Sequence, residues 1–180
     1  MVAMTSQRAR VHTRIIVVEG YRRDDGLFDI EATMQDVRDQ DVPIGESVRQ
    51  AGSALHDMWI RITIDHTMLI TEARAETAAA PYPGTCEAIT PDYSRLAGVR
   101  IEAGWRKNVA RLFAGTRGCT HITELIGNLS TVAFQTVEAA GHISGGKPRQ
   151  VDGCHALNAT GELVAEHFPK WHRRAPVVGE

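Results

Sequence analysis

The first half of the chain alternates hydrophobic and polar residues with a period of two. In the segment 27–37, LFDIEATMQDV, every second residue from Phe28 to Met34 is hydrophobic and the residues between them are polar. This period is typical of a β-strand with one buried face. The segment 14–21 is rich in β-branched residues, and the turn sequence RRDDG at 22–26 separates the two. The two segments are therefore predicted to form a β-hairpin.

A second pair of strands is predicted from the same alternation of hydrophobic and polar residues. The segment 56–65, HDMWIRITID, places His56, Met58 and the three isoleucines on one face and Trp59 with the polar residues on the other. The segment 67–77 is predicted to run back as its partner after a short turn, whereas 38–55 is polar and is predicted to be a loop. The first half is thus predicted to be a four-stranded antiparallel sheet with one packed face.

The hydrophobic period changes to that of a helix in the second half. TPDYSRLAG has an N-cap threonine, a first-turn proline and a terminal glycine, which predict a short helix over 90–98. Further helices are predicted over 105–115 and over 119–140, the latter with Thr120 as its N-cap. The hydrophobic residues of this longest helix are Ile122, Leu125, Ile126, Leu129, Val132, Ala133 and Val137. A sheet followed by helices that pack on it predicts the α+β class.

The end of the chain carries weaker signals. Residues 141–153 are rich in glycine and proline and are predicted to be a connection. The sequence CHALNATGELVAEHFPKW that follows is predicted to form a polar turn and then a final helix or strand. A chain of 180 residues can bury one core, so 1–180 is predicted to be a single domain with a flexible N-terminus at about 1–10.

Charge and hydropathy exclude several classes of partner. The net charge of −2 provides no positively charged surface for nucleic acid or an anionic membrane. No hydrophobic run approaches the roughly 18 residues that span a bilayer, and arginines interrupt the region where a secretory signal needs an apolar core. We therefore expect a cytoplasmic protein without nucleic-acid or membrane partners. The sequence leaves open whether it forms a homo-oligomer.

The three cysteines lie far apart and do not have the pattern of a disulfide framework. Cys86, Cys119 and Cys154 each lie in or beside a glycine-containing loop, and a histidine lies near two of them. Cysteine and histidine are ligands of zinc and of iron–sulfur clusters. The three cysteines, with His121 or His155 as fourth ligand, are therefore one candidate metal site. The alternative is that the cysteines are small buried hydrophobic residues.

A second candidate site is predicted where the sheet meets the helices. His56 shares a face with hydrophobic residues, so it is either a hydrogen-bonded core residue or an acid–base group in a pocket. Glu124 follows His121 by one helical turn, so these two side chains can interact. The acid–base and charged residues that could line such a pocket are His56, Tyr93, Arg106, Lys107, His121 and Glu124.

Several motifs in order resemble the bacterial domain-of-unknown-function family 2889. They are FDIEATMQDV, HDMWIRITID, YSRLAGVRIEAGW, GCTHITELI and CHALNATGELV followed by FPKW, and they cover about 12–172. The resemblance implies a link to the catabolism of aromatic compounds and, for one relative, a lyase that releases formaldehyde from lignin-derived phenolic dimers. A weaker resemblance to iron–sulfur scaffold proteins rests on the order Cys86, Cys119 and Cys154–His155. The aspartate after the first scaffold cysteine is absent here, and the His–Cys order is reversed.

The resemblance thus implies a cofactor-free carbon–carbon lyase with a small aromatic substrate. Loss of formaldehyde from a primary alcohol needs a base for the hydroxyl proton and an electron sink, which an ionised or quinone-methide ring supplies. We expect His56 or His121 as the base, in a pocket with apolar walls. The side chains expected to bind a phenolate are Tyr93, Arg106 or Lys107, and those expected in the walls are Met58, Trp59 and Trp105.

Two other functions remain open from the sequence. One is a metal-binding scaffold that holds zinc or an iron–sulfur cluster on the three cysteines. The other is a structural or regulatory partner that performs no chemistry, in which the cysteines belong to the core.

Overall fold

The computed structural model describes residues 7–141, 146–148 and 150–174. The chain divides into two compact units, residues 1–140 and residues 141–180. The expectation of a single domain over 1–180 stays a prediction. Most of the N-terminus that was predicted to be flexible lies outside the described residues, and residues 7–11 precede the first strand.

The first unit contains the predicted four-stranded antiparallel sheet. The strands in chain order are β1 (His12–Arg22), β2 (Phe28–Arg38), β3 (Val42–Ile44), β4 (Ser47–Arg49), β5 (Ala54–Ile64) and β6 (Ile70–Ala79). Strands β1, β2, β5 and β6 pair in that order to form the sheet. The segment predicted to be a loop contains the short β3–β4 hairpin, in which Gly45 takes a φ of 58° at the turn. This turn favours glycine because a positive φ costs other residues energy.

The helices of the first unit follow the sheet, as predicted. They are a 3-10 helix (Glu87–Leu96), α1 (Trp105–Phe113), a 3-10 turn (Gly115–Arg117) and α2 (Thr120–Ala139). The short helix predicted over 90–98 is this 3-10 helix, but it begins at Glu87 with Cys86 as its N-cap, so Pro91 lies inside it rather than at its start. Its buried residues Tyr93 and Leu96 are three apart, which matches three residues per turn. The N-cap of α2 is Cys119, one residue before the predicted Thr120.

Helix α2 covers the packed face of the sheet and contacts β1, β2 and β5. Its apolar stripe is buried, as the periodicity predicts. Gly20 on β1 permits this packing, because a Cβ atom there would lie 1.8 Å from Oγ1 of Thr136 and 2.9 Å from its Cβ. No helix among the described residues is both long and apolar enough to cross a membrane.

The second unit is built around a small cluster of Val151, Ala159 and Val164. It contains α3 (Glu162–His167) and a 3-10 turn (Pro169–Trp171), so the final segment is helical rather than a strand. Part of the predicted connection 141–153 lies outside the described residues.

The Asp152 carboxylate connects three segments of the second unit through hydrogen bonds. It accepts hydrogen bonds from Nζ of Lys147 at 2.7 Å, from the backbone N–H of Ala159 at 2.9 Å and from Nη2 of Arg173 at 2.6 Å. The bonds from Lys147 and Ala159, with the charge of Arg173, lower the pKa of Asp152 from 3.8 to about 2.

We expect Gly20→Ala to lower the free energy of unfolding by about 1–3 kcal/mol, the usual cost of overpacking. Rotation of the Thr136 side chain cannot remove the clash, since its Cβ is also too close. Gly127→Ala within α2 is the matched control, because a Cβ there meets nothing within 4 Å. It should raise stability by up to about 1 kcal/mol through helix propensity. Urea unfolding measures the free energy of unfolding of both variants. A Gly20→Ala protein as stable as the wild type would contradict the close packing of α2 on β1.

The lowered pKa of Asp152 predicts how the second unit responds to acid. Its bonds contribute their stability fully above the ordinary pKa of 3.8, and the contribution is lost as the pH falls through about 2. An NMR titration of the Asp152 carboxyl and the Ala159 amide should therefore show a midpoint near 2. In Asp152→Asn the Ala159 amide should lose this transition. A midpoint near 3.8 in the wild type would show that the three bonds do not form in solution.

Candidate functional site

A polar row crosses one end of the packed sheet face. Arg14 on β1, Asp36 on β2 and His56 on β5 are direct cross-strand neighbours in the register. Neighbours of this kind point to the same face of the sheet. The next row includes Met34 and Met58, which are almost fully buried. The polar row therefore lies at the border of the hydrophobic core.

The Asp36 carboxylate is the centre of this row. Arg14 donates to it twice, from Nε to Oδ1 at 2.7 Å and from Nη2 to Oδ2 at 2.8 Å. Nε2 of His12 lies 3.1 Å from Oδ1, and Nδ1 of His56 lies 3.0 Å from Oδ2. Burial opposes ionisation, but the bonds from Arg14, His12 and His56 outweigh it and hold the pKa of Asp36 far below its usual value. A buried negative charge is thus fixed at the end of the sheet.

The first turn of α2 adds two side chains above the row. The His121 and His56 rings lie 3.8 Å apart between centroids with a tilt of 32°, and Nε2 of His121 is 3.8 Å from Oδ2 of Asp36. Glu124 accepts a hydrogen bond from Nη1 of Arg14 at 2.5 Å. Because α2 carries both residues one turn apart, they reach the same end of the sheet.

The surroundings of both imidazoles favour the neutral form. Burial lowers the pKa of His56, and the bond to Asp36 only partly opposes this. Burial also lowers the pKa of His121, and the neighbouring His56 and Arg14 lower it further. A neutral ring has one nitrogen lone pair, and while Nδ1 of His56 donates to Asp36 the lone pair of that ring is on Nε2. We call Asp36, His56 and His121 the Asp–His–His cluster.

Tyr93 fixes the start of α2 beneath the cluster. Its hydroxyl donates to the carbonyl of Cys119 at 2.9 Å and accepts from the N–H of Cys119 at 2.8 Å. The same hydroxyl lies 3.0 Å from Oγ1 of Thr123. Burial raises the pKa of Tyr93, so the side chain is uncharged. Cys119 itself has Sγ 3.9 Å from Sδ of Met58 and 3.9 Å from Nδ1 of His121.

A cleft of about 430 Å³ lies between α1 and α2. Trp105 is fixed in its wall by a hydrogen bond from Nε1 to the carbonyl of Ile126. Glu124 lines the cleft and also binds Arg14, so it joins the cleft to the cluster. The residues that line the cleft are Trp105, Arg106, Val109, Ala110, Ala114, Thr123, Glu124, Gly127 and Asn128.

The structure brings together some of the side chains that the sequence singled out. His56, His121 and Glu124 meet around Arg14 and Asp36. Trp105, Arg106 and Glu124 line one cleft.

Other candidate residues belong neither to the cluster nor to the lining of the cleft. Lys107 is exposed on α1 and does not line the cleft. Trp59 alternates with Met58 along β5, so it lies on the opposite face of the sheet, where Nε1 donates to Glu31 at 3.2 Å. Met58 is buried beneath Cys119.

The cysteines are free thiols. Cys86 and Cys119 are half-buried in the first unit, whereas Cys154 and its neighbour His155 are exposed in the second. Across the described residues, the single group of three or more side chains suited to a metal is the Asp–His–His cluster, which contains no cysteine. The three-cysteine site stays a prediction.

Asp36, Arg14 and His12 are the residues that the sequence interpretation missed. Asp36 continues the inward-facing series that ends with Met34 in the strand 27–37, so a carboxylate occupied a core-facing position in the pattern. Such a position requires a partner, because an unpaired buried charge is costly. The need for a partner was the signal in the sequence that could have identified Asp36.

Residues 12–135 match the family described as protein of unknown function DUF2889. The chain belongs to this family. The DUF2889 match begins with β1 and ends within α2, so it includes every residue of the Asp–His–His cluster and its Arg14 and His12 partners. The motif CHALNATGELV lies beyond the residues that match DUF2889. No curated protein and no solved structure matches the chain.

We expect Tyr93→Phe to lower the free energy of unfolding by about 1–3 kcal/mol, because it leaves the buried polar groups around Cys119 without their partner. Tyr82→Phe is the matched control, since Tyr82 is largely exposed and should change stability by less than about 0.5 kcal/mol. Thermal or urea denaturation measures the stability of the two variants. Equal stability of the two variants would mean that the Tyr93 hydroxyl does not support the start of α2.

Proposed function

We propose that this protein is a small-molecule lyase that cleaves a carbon–carbon bond in a phenolic, lignin-derived aromatic compound and releases formaldehyde. The reaction is suggested by the link to aromatic catabolism that the resemblance to this family implies. The observation that carries the proposal is the pair of neutral imidazoles, His56 and His121, beside the buried carboxylate of Asp36. These are acid–base groups of the kind that the reaction needs.

The reaction begins with removal of the proton from the primary hydroxyl of the substrate by His56 or His121. The freed electron pair on oxygen forms the C=O bond of formaldehyde. The electron sink is a quinone methide, which forms when the ionised phenol of the substrate expels its benzylic oxygen substituent. The carbon–carbon bond breaks, its electron pair forms a C=C bond, and the quinone-methide ring becomes an aromatic phenolate. The bond from Nδ1 of His56 to Asp36 orients that ring, and the carboxylate stabilises the imidazolium that forms. This route uses no cofactor.

The cleft between α1 and α2 supports the choice of a small aromatic substrate. Its volume of about 430 Å³ lies within the range that is usual for small-molecule sites. Trp105 and Val109 provide an apolar wall, and the Arg106 guanidinium can pair with a phenolate oxygen. Glu124 connects this surface with the cluster through Arg14.

The test is to incubate the purified chain with phenylcoumaran and diarylpropane dimers and to measure formaldehyde. We expect release of formaldehyde, and we expect the variant of the residue that acts as base, His56→Gln or His121→Gln, to lower kcat by about 10²–10⁴-fold. Arg106→Gln should mainly raise KM, because it removes a charge that binds the ground state.

His167→Gln is the matched control, since His167 is an exposed residue of the second unit and should leave the rate unchanged. Circular dichroism establishes that each variant is folded. Absence of formaldehyde from every dimer, or full activity in both cluster variants, would refute the proposed function.

A further inference from the structure

The Asp–His–His cluster presents one oxygen and two nitrogen atoms that lie within 4.8 Å of one another. Oδ2 of Asp36 is 3.0 Å from Nδ1 of His56 and 3.8 Å from Nε2 of His121. The longer distance exceeds a hydrogen bond. A tetrahedral zinc ion with bonds of about 2.0–2.2 Å separates its ligand atoms by roughly 3.3–3.6 Å. This range lies between the two observed distances.

The Asp36 carboxylate is held in place as an oxygen ligand. Arg14 binds it, and Glu124 in turn binds Arg14. Arg14 binds each Asp36 oxygen once. The second lone pair of Oδ2 accepts from Nδ1 of His56, and an ion replaces this hydrogen bond once the ring proton moves to Nε2. Hydrogen bonds such as those from Arg14 orient the carboxylates that ligate metals.

We propose that Asp36, His56 and His121 bind a divalent transition-metal ion such as Zn²⁺, with the remaining coordination position left to water or a small ligand. Two imidazoles and one carboxylate are the donor set of some catalytic zinc sites and of non-haem iron(II) sites. On binding, the two rings must spread from their 3.8 Å stack to turn their nitrogen atoms toward the ion. His121 can make this movement because it is a quarter exposed on the first turn of α2.

This metal site goes beyond the proposed lyase and uses the same side chains. A metal ion and a proton compete for the same nitrogen lone pairs, so an imidazole that ligates an ion cannot act as a base. Metal binding can be measured without any aromatic substrate. Failure of the lyase reaction therefore leaves the metal site testable by itself.

The experiment uses the full chain after treatment with EDTA and removal of the chelator. Calorimetric titration with Zn²⁺ should show one high-affinity equivalent, and Co²⁺ should give the visible absorption of a site with nitrogen and oxygen ligands. His56→Gln and His121→Gln should each weaken binding by more than about 100-fold, since loss of an outer partner alone costs about 10–100-fold. His167→Gln should bind like the wild type.

Cys119→Ser separates this site from one that uses sulfur. Sγ of Cys119 lies near Nδ1 of His121, the nitrogen that faces away from Asp36, so this variant should retain the ion. The cobalt protein should show no thiolate charge-transfer band. Failure to bind Zn²⁺, binding that survives both cluster variants, or loss of binding in Cys119→Ser would each overturn the inference.

Formaldehyde assays on the same samples report on the lyase separately. Release by the EDTA-treated protein that Zn²⁺ inhibits, with Zn²⁺ affinity lost in the cluster variants, would support both the imidazole base and the metal site. Release that requires Zn²⁺, with the same loss of affinity, would support the metal site and refute the assignment of an imidazole as base.

Discussion

The ion pair between Arg14 and Asp36 allows a hydrophobic sheet face to end in a charged site. An unpaired carboxylate in a nearly dry position costs several kcal/mol, and breaking a buried pair typically costs about 3–5 kcal/mol. Arg14 binds both oxygens of Asp36 and also Glu124, so strand β1, strand β2 and helix α2 meet in one network. The positions of His56 and His121 depend on this network.

Helix α2 must also lie close to the sheet for the network to form. Gly20 lets the helix approach β1 near one of its ends, and Tyr93 binds the backbone at the other. These contacts are far from each other along α2 and together set where its first turn lies. They explain why His121 can stack on His56, which comes from a strand more than fifty residues earlier.

The sequence predicted the elements well because their patterns are local. Alternation located β2, and the 3.6-residue period located α2. The start of the 3-10 helix was predicted at Thr90 because Thr-Pro is typical of a helix N-terminus, whereas the helix begins at Glu87. The sequence interpretation did not identify Asp36, although it lies on the same face as Met34, because the pairing with Arg14 depends on the strand register.

The candidate site was only partly predictable for the same physical reason. The residue types of His56, His121 and Glu124 show that they are acid–base groups. That they lie close together depends on tertiary contacts between β5 and α2. The cysteines were predicted as metal ligands because thiolates bind zinc and iron. Among the described residues, the side chains that lie together are instead one carboxylate and two imidazoles.

The position of Glu124 affects how binding in the cleft and binding at the Asp–His–His cluster are measured. It lines the cleft and holds Arg14, whose guanidinium in turn holds Asp36. A molecule in the cleft that alters the Glu124–Arg14 bond changes the free energy of occupying the cluster. Thermodynamic reciprocity then requires cluster occupancy to change cleft affinity by the same factor. For such a molecule the two occupancies are coupled equilibria, and a dissociation constant for either site has meaning only at a stated saturation of the other.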